Sequence, residues 1–471
     1  MRIQENKAKR LIYTLIAIVF WISIWSFFAW KIDNKIFLPS PASTLSALKA
    51  MLCGKEFYDT LYITILGILK GFALGVMAGF VLGILAYYSE LFRVILAPLI
   101  HILKAVPVAS FIILSLLFVR SDKLSVLISF TVTFPIIYIN VLKSMREVDV
   151  NLLRMSKVFD ITFIAKIRYV YVPGVLVALL SGCEIGIGFA FKSGIAAEII
   201  GQTTKSVGYQ IYLSKLYLET DRLFAWTIVI IIVSIIISRV FGKIFGIARK
   251  HIYNTNEFYA GRSKTDKCVE VAQNGEMCLE MSEIGKSYKT ENVLKNVSFK
   301  LRKGDVLAVM GPSGAGKTTL LRIIEEIEKP DSGKVIKTNI NRIGVVFQEN
   351  TLFDYSDVFT NIYYATLRKD GFFITSDSIL KSIEEVWLKG YEKTRADKLS
   401  GGMKRRVALL RAMIIKPDLL ILDEPFTGLD SELKDMIIGY VNRGRKDRIT
   451  VVVTHDREEA EKMGAKIYEL N

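Results

Sequence analysis

Residues 311–319 read Gly-Pro-Ser-Gly-Ala-Gly-Lys-Thr-Thr, a spacing suited to holding phosphate. Gly311, Gly314 and Gly316 let backbone amides close around an anion without a Cβ in the way. A helix starting there points its positive end at the same oxygens. Ser313 and Thr319 complete the loop. Lys317 is placed to reach the β- and γ-phosphates, and Thr318 to offer its hydroxyl to Mg²⁺. Two carboxylates follow at Asp423 and Glu424, behind the apolar run that starts at Leu419. Asp423 suits a Mg²⁺ shell, and Glu424 suits a base that polarises an attacking water. Between these motifs lies Leu399-Ser400-Gly401-Gly402-Met403, where a serine and two glycines at a helix start make a second anion nest. Together these groups point to binding and hydrolysis of a nucleoside triphosphate.

The elements needed to position them are legible around the motifs. Residues 306–310 are apolar and read as a buried strand, followed by the loop and then a helix over 320–326. Strand, glycine-rich loop, helix is the context a phosphate loop requires. The run at 419–422 predicts a second buried strand that delivers Asp423 to its carboxyl end, where ligands sit in α/β sheets. From Cys278 onward strand-like and helix-like stretches alternate, while 253–273 is polar, without apolar period, and reads as a linker.

The first half is built for lipid. Residues 11–30 form an unbroken apolar run preceded by Arg2, Lys7, Lys9 and Arg10, which predicts a membrane span with the amino terminus in the cytoplasm. Further spans are expected over 63–88, 92–119, 124–142, 174–200 and 224–245, six crossings in all. Gly67, Gly71, Gly75, Gly79 and Gly83 share one helix face and predict close helix packing, either static or as a sliding interface. The third span carries Pro98 and Pro107, with His101 and Lys104 between them, and is expected to be interrupted at the prolines. Lys70, Glu184, Lys192 and Glu198 also lie in or near apolar segments. They read either as pathway groups or as structural charges, for example Lys192 paired with Glu198. Residues 143–173 are charged and amphipathic, suited to docking on a protein or a membrane surface.

The net charge of +16 fits basic residues flanking apolar spans on the cytoplasmic side rather than nucleic-acid binding. The four cysteines, Cys53, Cys183, Cys268 and Cys278, form no CxxC pair and stand near no histidine cluster, so neither a cysteine metal site nor a disulfide framework is expected.

With a phosphate loop on one side and an acidic strand on the other, Leu399-Ser400-Gly401-Gly402 resembles the signature of ATP-binding-cassette (ABC) proteins. Met403 stands where that signature usually has Gln. The resemblance implies that this nest completes the ATP site of an opposite subunit. It also implies roles for four further residues: Tyr288 as the ring that stacks on adenine, Gln348 as the sensor of Mg²⁺ and water bordering a coupling groove, Asp430 as part of a loop crossing the dimer interface, and His455 as the switch that contacts the γ-phosphate. The stretch 154–173 is similar to the coupling loop of bacterial ABC importer permeases. That loop's usual pattern is Glu-Ala-Ala, a glycine four residues on, and Leu-Pro. This chain has Arg154-Met155-Ser156, then Asp160, then Val172-Pro173. Residues 37–41 (Phe-Leu-Pro-Ser-Pro), residues 194–201 and Gly208-Tyr209 are similar to permeases of the nitrate, sulfonate and taurine group.

The expected architecture is therefore an all-α polytopic membrane bundle followed by an α/β ABC ATPase domain with a helical subdomain. The permease domain is expected over 1–250 with its coupling loop at 143–173, a linker over 251–277, and the ATP-binding domain over 278–471. The resemblance implies a multi-pass protein of the bacterial cytoplasmic membrane working as a homodimer with ATP and Mg²⁺. It further implies an extracytoplasmic binding protein as partner and import of a small solute. Lys104 and Lys192, each of which also has a structural reading, suit an anionic one. An ABC exporter and a membrane-tethered ATPase that does not transport are the alternatives. The single substantial cytoplasmic loop and the short 31–59 loop argue against them.

Overall fold

The computed structural model describes residues 2–253, 276–288, 291–372 and 374–470. The chain divides into two compact units, Met1–Glu147 with Val175–Arg249, and Val148–Gly174 with Lys250–Asn471. Cys268 and nearly all of the expected linker lie outside the described residues.

The first unit is helical: α1 (Arg2–Ile32), α2 (Pro41–Leu52), α3 (Lys55–Tyr88), α4 (Glu90–Ala105), α5 (Val108–Ser115) and α6 (Leu124–Arg146). Two helices of the second unit, α7 (Val150–Val158) and α8 (Phe163–Lys166), come next in sequence; α9 (Val172–Gly201), α10 (Val207–Leu216) and α11 (Thr220–Tyr253) complete the membrane half. Among the described residues five helices are long and apolar enough to cross a membrane, and the bent pair of α4 and α5 makes a sixth if taken as one span.

That pair corrects the expected third span. Pro98 sits inside α4 without ending it. The break falls at Val106 and Pro107, and the two helices meet at 108°. Val106 is extended (φ −72°, ψ 127°), as a residue before proline must tend to be.

The glycine ladder packs along α6. A Cβ on Gly71 would lie 2.2 Å from the Val126 carbonyl oxygen, on Gly75 2.8 Å from Thr133 Cβ, and on Gly79 2.8 Å from Ile137 Cβ. Without those hydrogens-only positions the two backbones could not approach so closely. The pairing of Lys192 with Glu198 does not form. Lys192 is exposed on α9, whereas Glu198 is buried and its Oε2 accepts from Thr64 Oγ1 (2.9 Å) and Gly208 N (3.2 Å). Six helix positions separate the two residues, which turns them toward different faces. His101, Lys104, Glu184 and Lys70 stand on exposed faces of the unit.

The second unit continues with β1 (Cys278–Tyr288), β2 (Glu291–Arg302), β3 (Val306–Met310), α12 (Lys317–Ile324), β4 (Ser332–Thr338) and β5 (Ile343–Val346). A helical stretch follows, α13 (Val358–Tyr363), α14 (Ser376–Glu385) and α15 (Gly401–Met413), and then β6 (Leu419–Asp423), α16 (Ser431–Asn442), β7 (Ile449–Val453), α17 (Arg457–Lys462) and β8 (Lys466–Glu469). Strands β2-β1-β4 form an antiparallel sheet. The central sheet is parallel, in the order β5-β6-β7-β3-β8. Its strands β3, β6 and β7 are buried throughout, as continuous Val/Ile/Leu runs covered on both faces should be. Because β7 separates β3 from β6, the phosphate loop after β3 and Asp423 at the end of β6 open at the same sheet edge.

Candidate ATP site and the segment built into it

One cavity of about 270 Å³ gathers the chemistry. It is lined by Ser313, Gly314, Gly316, Lys317, Thr318 and Thr319 from the loop, by Gln348, Asp423, Glu424 and His455, and by Tyr288, Val293 and Val453. The two valines had no signal in the sequence beyond strand pattern. Gly316 adopts φ +90°, and a Cβ there would come within 2.9 Å of the Val293 carbonyl oxygen, so both conformation and space demand glycine. Gly311 lies just before the cavity, where a Cβ would meet the Leu470 carbonyl oxygen at 2.5 Å. Lys317 is buried, and its Nζ donates to the carbonyls of Gly311 (2.6 Å) and Pro312 (2.8 Å). An ammonium has three N–H groups, so one remains for a phosphate oxygen.

Asp423 and Glu424 stand side by side in different surroundings. Asp423 is buried, and burial, with the Glu424 charge beside it, raises its pKa against the pull of Arg405, Arg154 and Lys317. A divalent cation would relieve that excess of negative charge. Thr318 and Gln348 line the same cavity and could supply the neutral oxygens, so the residues present fit Mg²⁺. The set is a mixed one of hydroxyl, amide and carboxylate oxygens. Glu424 holds φ +47°, uncommon for a residue with a side chain and costly unless its surroundings fix it. Its N–H is bound by the Val453 carbonyl (2.9 Å). Its Oε1 lies 3.3 Å from Nε2 of His455, which puts the imidazole against the carboxylate expected to orient water.

Ser400, Gly401, Gly402 and Asp430 do not line this cavity. They gather elsewhere. Ser400 caps α15, its Oγ accepting from Met403 N at 3.3 Å. Asp430 caps α16 through Leu433 N (2.8 Å). A Cβ on Gly402 would touch Leu429 and Gly428, so the two caps form one exposed patch. Tyr288 is 42% exposed at the cavity rim, with its hydroxyl bonded to Glu328.

Arg405 escaped the sequence reading because Lys404-Arg405-Arg406 looks like a solvated charge run. It is 3% exposed. Its guanidinium donates to the carbonyls of Phe347 (2.5 Å), Gln348 (3.2 Å), Asp423 (2.5 Å), Pro425 (3.1 Å) and Glu424. It thus ties the Gln348 turn to both carboxylate positions. Burial pulls its pKa down to about 10, so it stays charged at neutral pH. Arg411, wholly buried, donates to the carbonyls of Thr351 (2.8 Å) and Asn350 (3.4 Å) and lies over the Phe159 ring.

Phe159 belongs to the 148–174 segment, which packs as part of this unit. Met155, Val158, Phe159, Ile161, Ala165 and Val170 join the ATPase core. Ile161 bridges to Arg368 in antiparallel fashion, and Thr162 N donates to the Leu367 carbonyl (3.0 Å). Asp160 takes φ +49° at the position where the loop pattern of importer permeases has glycine, the residue that conformation favours. Asn151 Nδ2 donates to Glu349 (3.0 Å) and Arg154 lies over the Phe347 ring, so the segment grips the residues on either side of Gln348. Phe163, by contrast, is 65% exposed.

Comparison with known proteins agrees with this geometry. The ABC transporter profile matches residues 294–427. The profile of the binding-protein-dependent transport system inner membrane component matches residues 71–247. An aliphatic sulfonates import ATP-binding protein of Shouchella clausii is 37% identical over 200 residues, which cover 41% of this chain and 78% of that protein. A spermidine/putrescine import ATP-binding protein of Mycoplasma capricolum is 38% identical over 205 residues, 41% of this chain and 58% of the relative. A sulfate/thiosulfate import ATP-binding protein of Xanthomonas campestris is 35% identical over 211 residues, 41% of this chain and 62% of the relative. The chain thus spans less than two thirds of the spermidine/putrescine relatives it matches. A helical membrane bundle and a P-loop ATPase of this topology, joined in one polypeptide, define a fused permease–ATPase. The chain belongs to the ABC transporter family.

Proposed function

We propose that this chain is a half-transporter that imports a small solute across the bacterial cytoplasmic membrane at the expense of ATP, working as a homodimer with an extracytoplasmic binding protein. The observation that carries the reading is the 148–174 segment. It lies in sequence between two membrane helices yet is packed into the ATPase core around Gln348. A change at the ATP site that moves the 347–351 turn acts on Asn151, Arg154 and, through Arg411, on Phe159.

The 311–319 loop would hold the phosphates of ATP, and Thr318, Gln348 and Asp423 would hold Mg²⁺, which would supply charge neutralisation at the phosphates. Glu424 polarises the attacking water and His455 steadies it. The Ser400–Gly401–Gly402 patch and Asp430 stand away from their own chain's cavity, which supports a composite site completed by a second copy. ATP favours the closed pair of ATPases by its differential affinity for that state.

The relatives' names range from polyamines to sulfate and sulfonates at similar identity, so likeness in the ATPase does not select the cargo. Lys104 and Lys192, exposed on membrane helices, favour a small anion. The test is reconstitution of the full chain in liposomes with candidate binding proteins and solutes, alongside Glu424→Gln. ATP-dependent uptake with the native chain is expected, and the variant should bind ATP while turnover falls by about 10²-fold or more. Normal hydrolysis in the variant would remove Glu424 from its role. ATP-dependent efflux from the cytoplasmic side would replace import by export.

A further inference from the structure

Arg154 occupies the place of the glutamate in the usual Glu-Ala-Ala loop pattern. In this chain its charge is answered. Nε (2.8 Å) and Nη2 (2.5 Å) both donate to one oxygen of Glu325, the residue that ends α12. The Glu325 side chain is 1% exposed and that of Arg154 13%. The second Glu325 oxygen, Oε1, is buried without a hydrogen-bond partner. Arg322, one turn back on α12, acts on this carboxylate more weakly than Arg154, and Asp423 adds a like charge. The counter-charge that matters for Glu325 therefore comes from the 148–174 segment.

We propose that Arg154 and Glu325 form a charge-reversed docking key: this ATPase accepts a coupling segment only if it brings a cation to position 154, and it rejects segments of the Glu-Ala-Ala type. The proposal rests on the reading of 148–174 as the coupling segment. A glutamate at 154 would be buried against Glu325, and two carboxylates so placed cannot both stay ionised. A buried charge stripped of its partner is strongly destabilising, whereas a matched pair is tolerated. Burial already pushes the Glu325 carboxyl up to about 7 against the pull of Arg154, so the ATPase side has little other means of holding the charge.

The segment's other polar contacts carry less charge selectivity: the buried bond between the Ser156 and Tyr364 hydroxyls (2.8 Å) is between neutral groups, and Asn151 donates to Glu349 as a neutral amide at an exposed position. The pairings of Thr162 N with the Leu367 carbonyl and of Lys369 N with the Asp160 carbonyl are backbone bonds that any sequence can make. The Asp160–Lys369 ion pair is exposed and of small worth in water. Arg154 also acts on Asp423, so the key sits within electrostatic reach of the metal-binding carboxylate.

A charge-swap cycle on the full chain in lipid nanodiscs tests this: wild type, Arg154→Glu, Glu325→Arg and the double variant. Hydrogen exchange of the 150–171 amides reads docking, and exchange of the buried β3, β6 and β7 amides reports whether the ATPase remains folded. Each single variant is expected to speed exchange of that segment about tenfold or more, and the double variant to return it to within about threefold of wild type. Unchanged exchange in Arg154→Glu, or a double variant no better than the worse single one, overturns the key. Should a reversed variant fail to fold, Arg154→Met, Glu325→Gln and their combination give the same cycle without burying a like-charge pair, with the same criterion of rescue. If the native chain transports nothing while exchange follows charge matching, the key stands and the importer reading falls. If uptake is normal and exchange ignores charge matching, the reverse holds.

Discussion

Replacing Arg405 by methionine keeps the length and much of the volume of the side chain and removes every donor. Five backbone carbonyls, those of Phe347, Gln348, Asp423, Glu424 and Pro425, then lose their shared cationic partner. Hydrogen bonds to a charged group contribute about 1.5–3 kcal/mol each in isolation. Their simple sum overshoots, because the variant no longer has to bury a guanidinium. Breaking a buried charged network by removing one member costs about 3–5 kcal/mol, and that range is the expectation. In a unit of this size it lowers the melting temperature by roughly 6–20 °C. If the same energy is lost from the transition state, kcat/KM for MgATP falls by roughly a hundredfold to a few thousandfold. The reason for a rate effect beyond stability is positional. Arg405 holds the Glu424 carbonyl while Val453 holds its N–H, and between them they fix the φ of +47° that sets the carboxylate. Calorimetry and steady-state hydrolysis on the purified full chain measure the two effects. Arg405→Lys, which keeps the charge without the fork, should fall between. A methionine variant with an unchanged melting temperature and kcat/KM within about threefold of wild type would refute the reasoning.

Two further substitutions probe packing. Gly79→Leu should prevent α3 from seating on α6, since even its Cβ would lie 2.8 Å from Ile137 Cβ and 2.9 Å from the Phe134 carbonyl oxygen; a loss of about 1–3 kcal/mol or more should appear as reduced monodisperse yield, while Gly188→Ala, with nothing within 4 Å, serves as the neutral control. Phe159→Ala empties a fully buried position and should cost about 3–5 kcal/mol, whereas Phe163→Ala, at an exposed position, should change stability by less than about 0.5 kcal/mol; equal effects in thermal unfolding would contradict the packing described for the segment.

The chemistry of the ATP site was written in short stretches of sequence because it depends on short-range geometry. A loop that cradles phosphate needs glycines at fixed offsets, a lysine and a helix start, all within nine residues, and an apolar run is enough to predict the strand that presents Asp423. Membrane spans are equally local, since length and apolarity alone decide them. The contribution of tertiary structure begins where partners are far apart in the chain. Pro98 and Pro107 look alike in sequence, but only the second ends its helix. Glu198 was a plausible partner for Lys192, six residues away, yet found Thr64, 134 residues distant. Arg405 resembled surface charge because its acceptors are backbone carbonyls, which carry no sequence identity to recognise. The departure of Arg154 from the importer pattern has no visible reason in the sequence; the structure supplies one in Glu325, 171 residues on. Local geometry sets what each motif can bind; burial and long-range pairing, which no single segment contains, decide which charges are neutralised and therefore which residues hold the site and its docking segment in place.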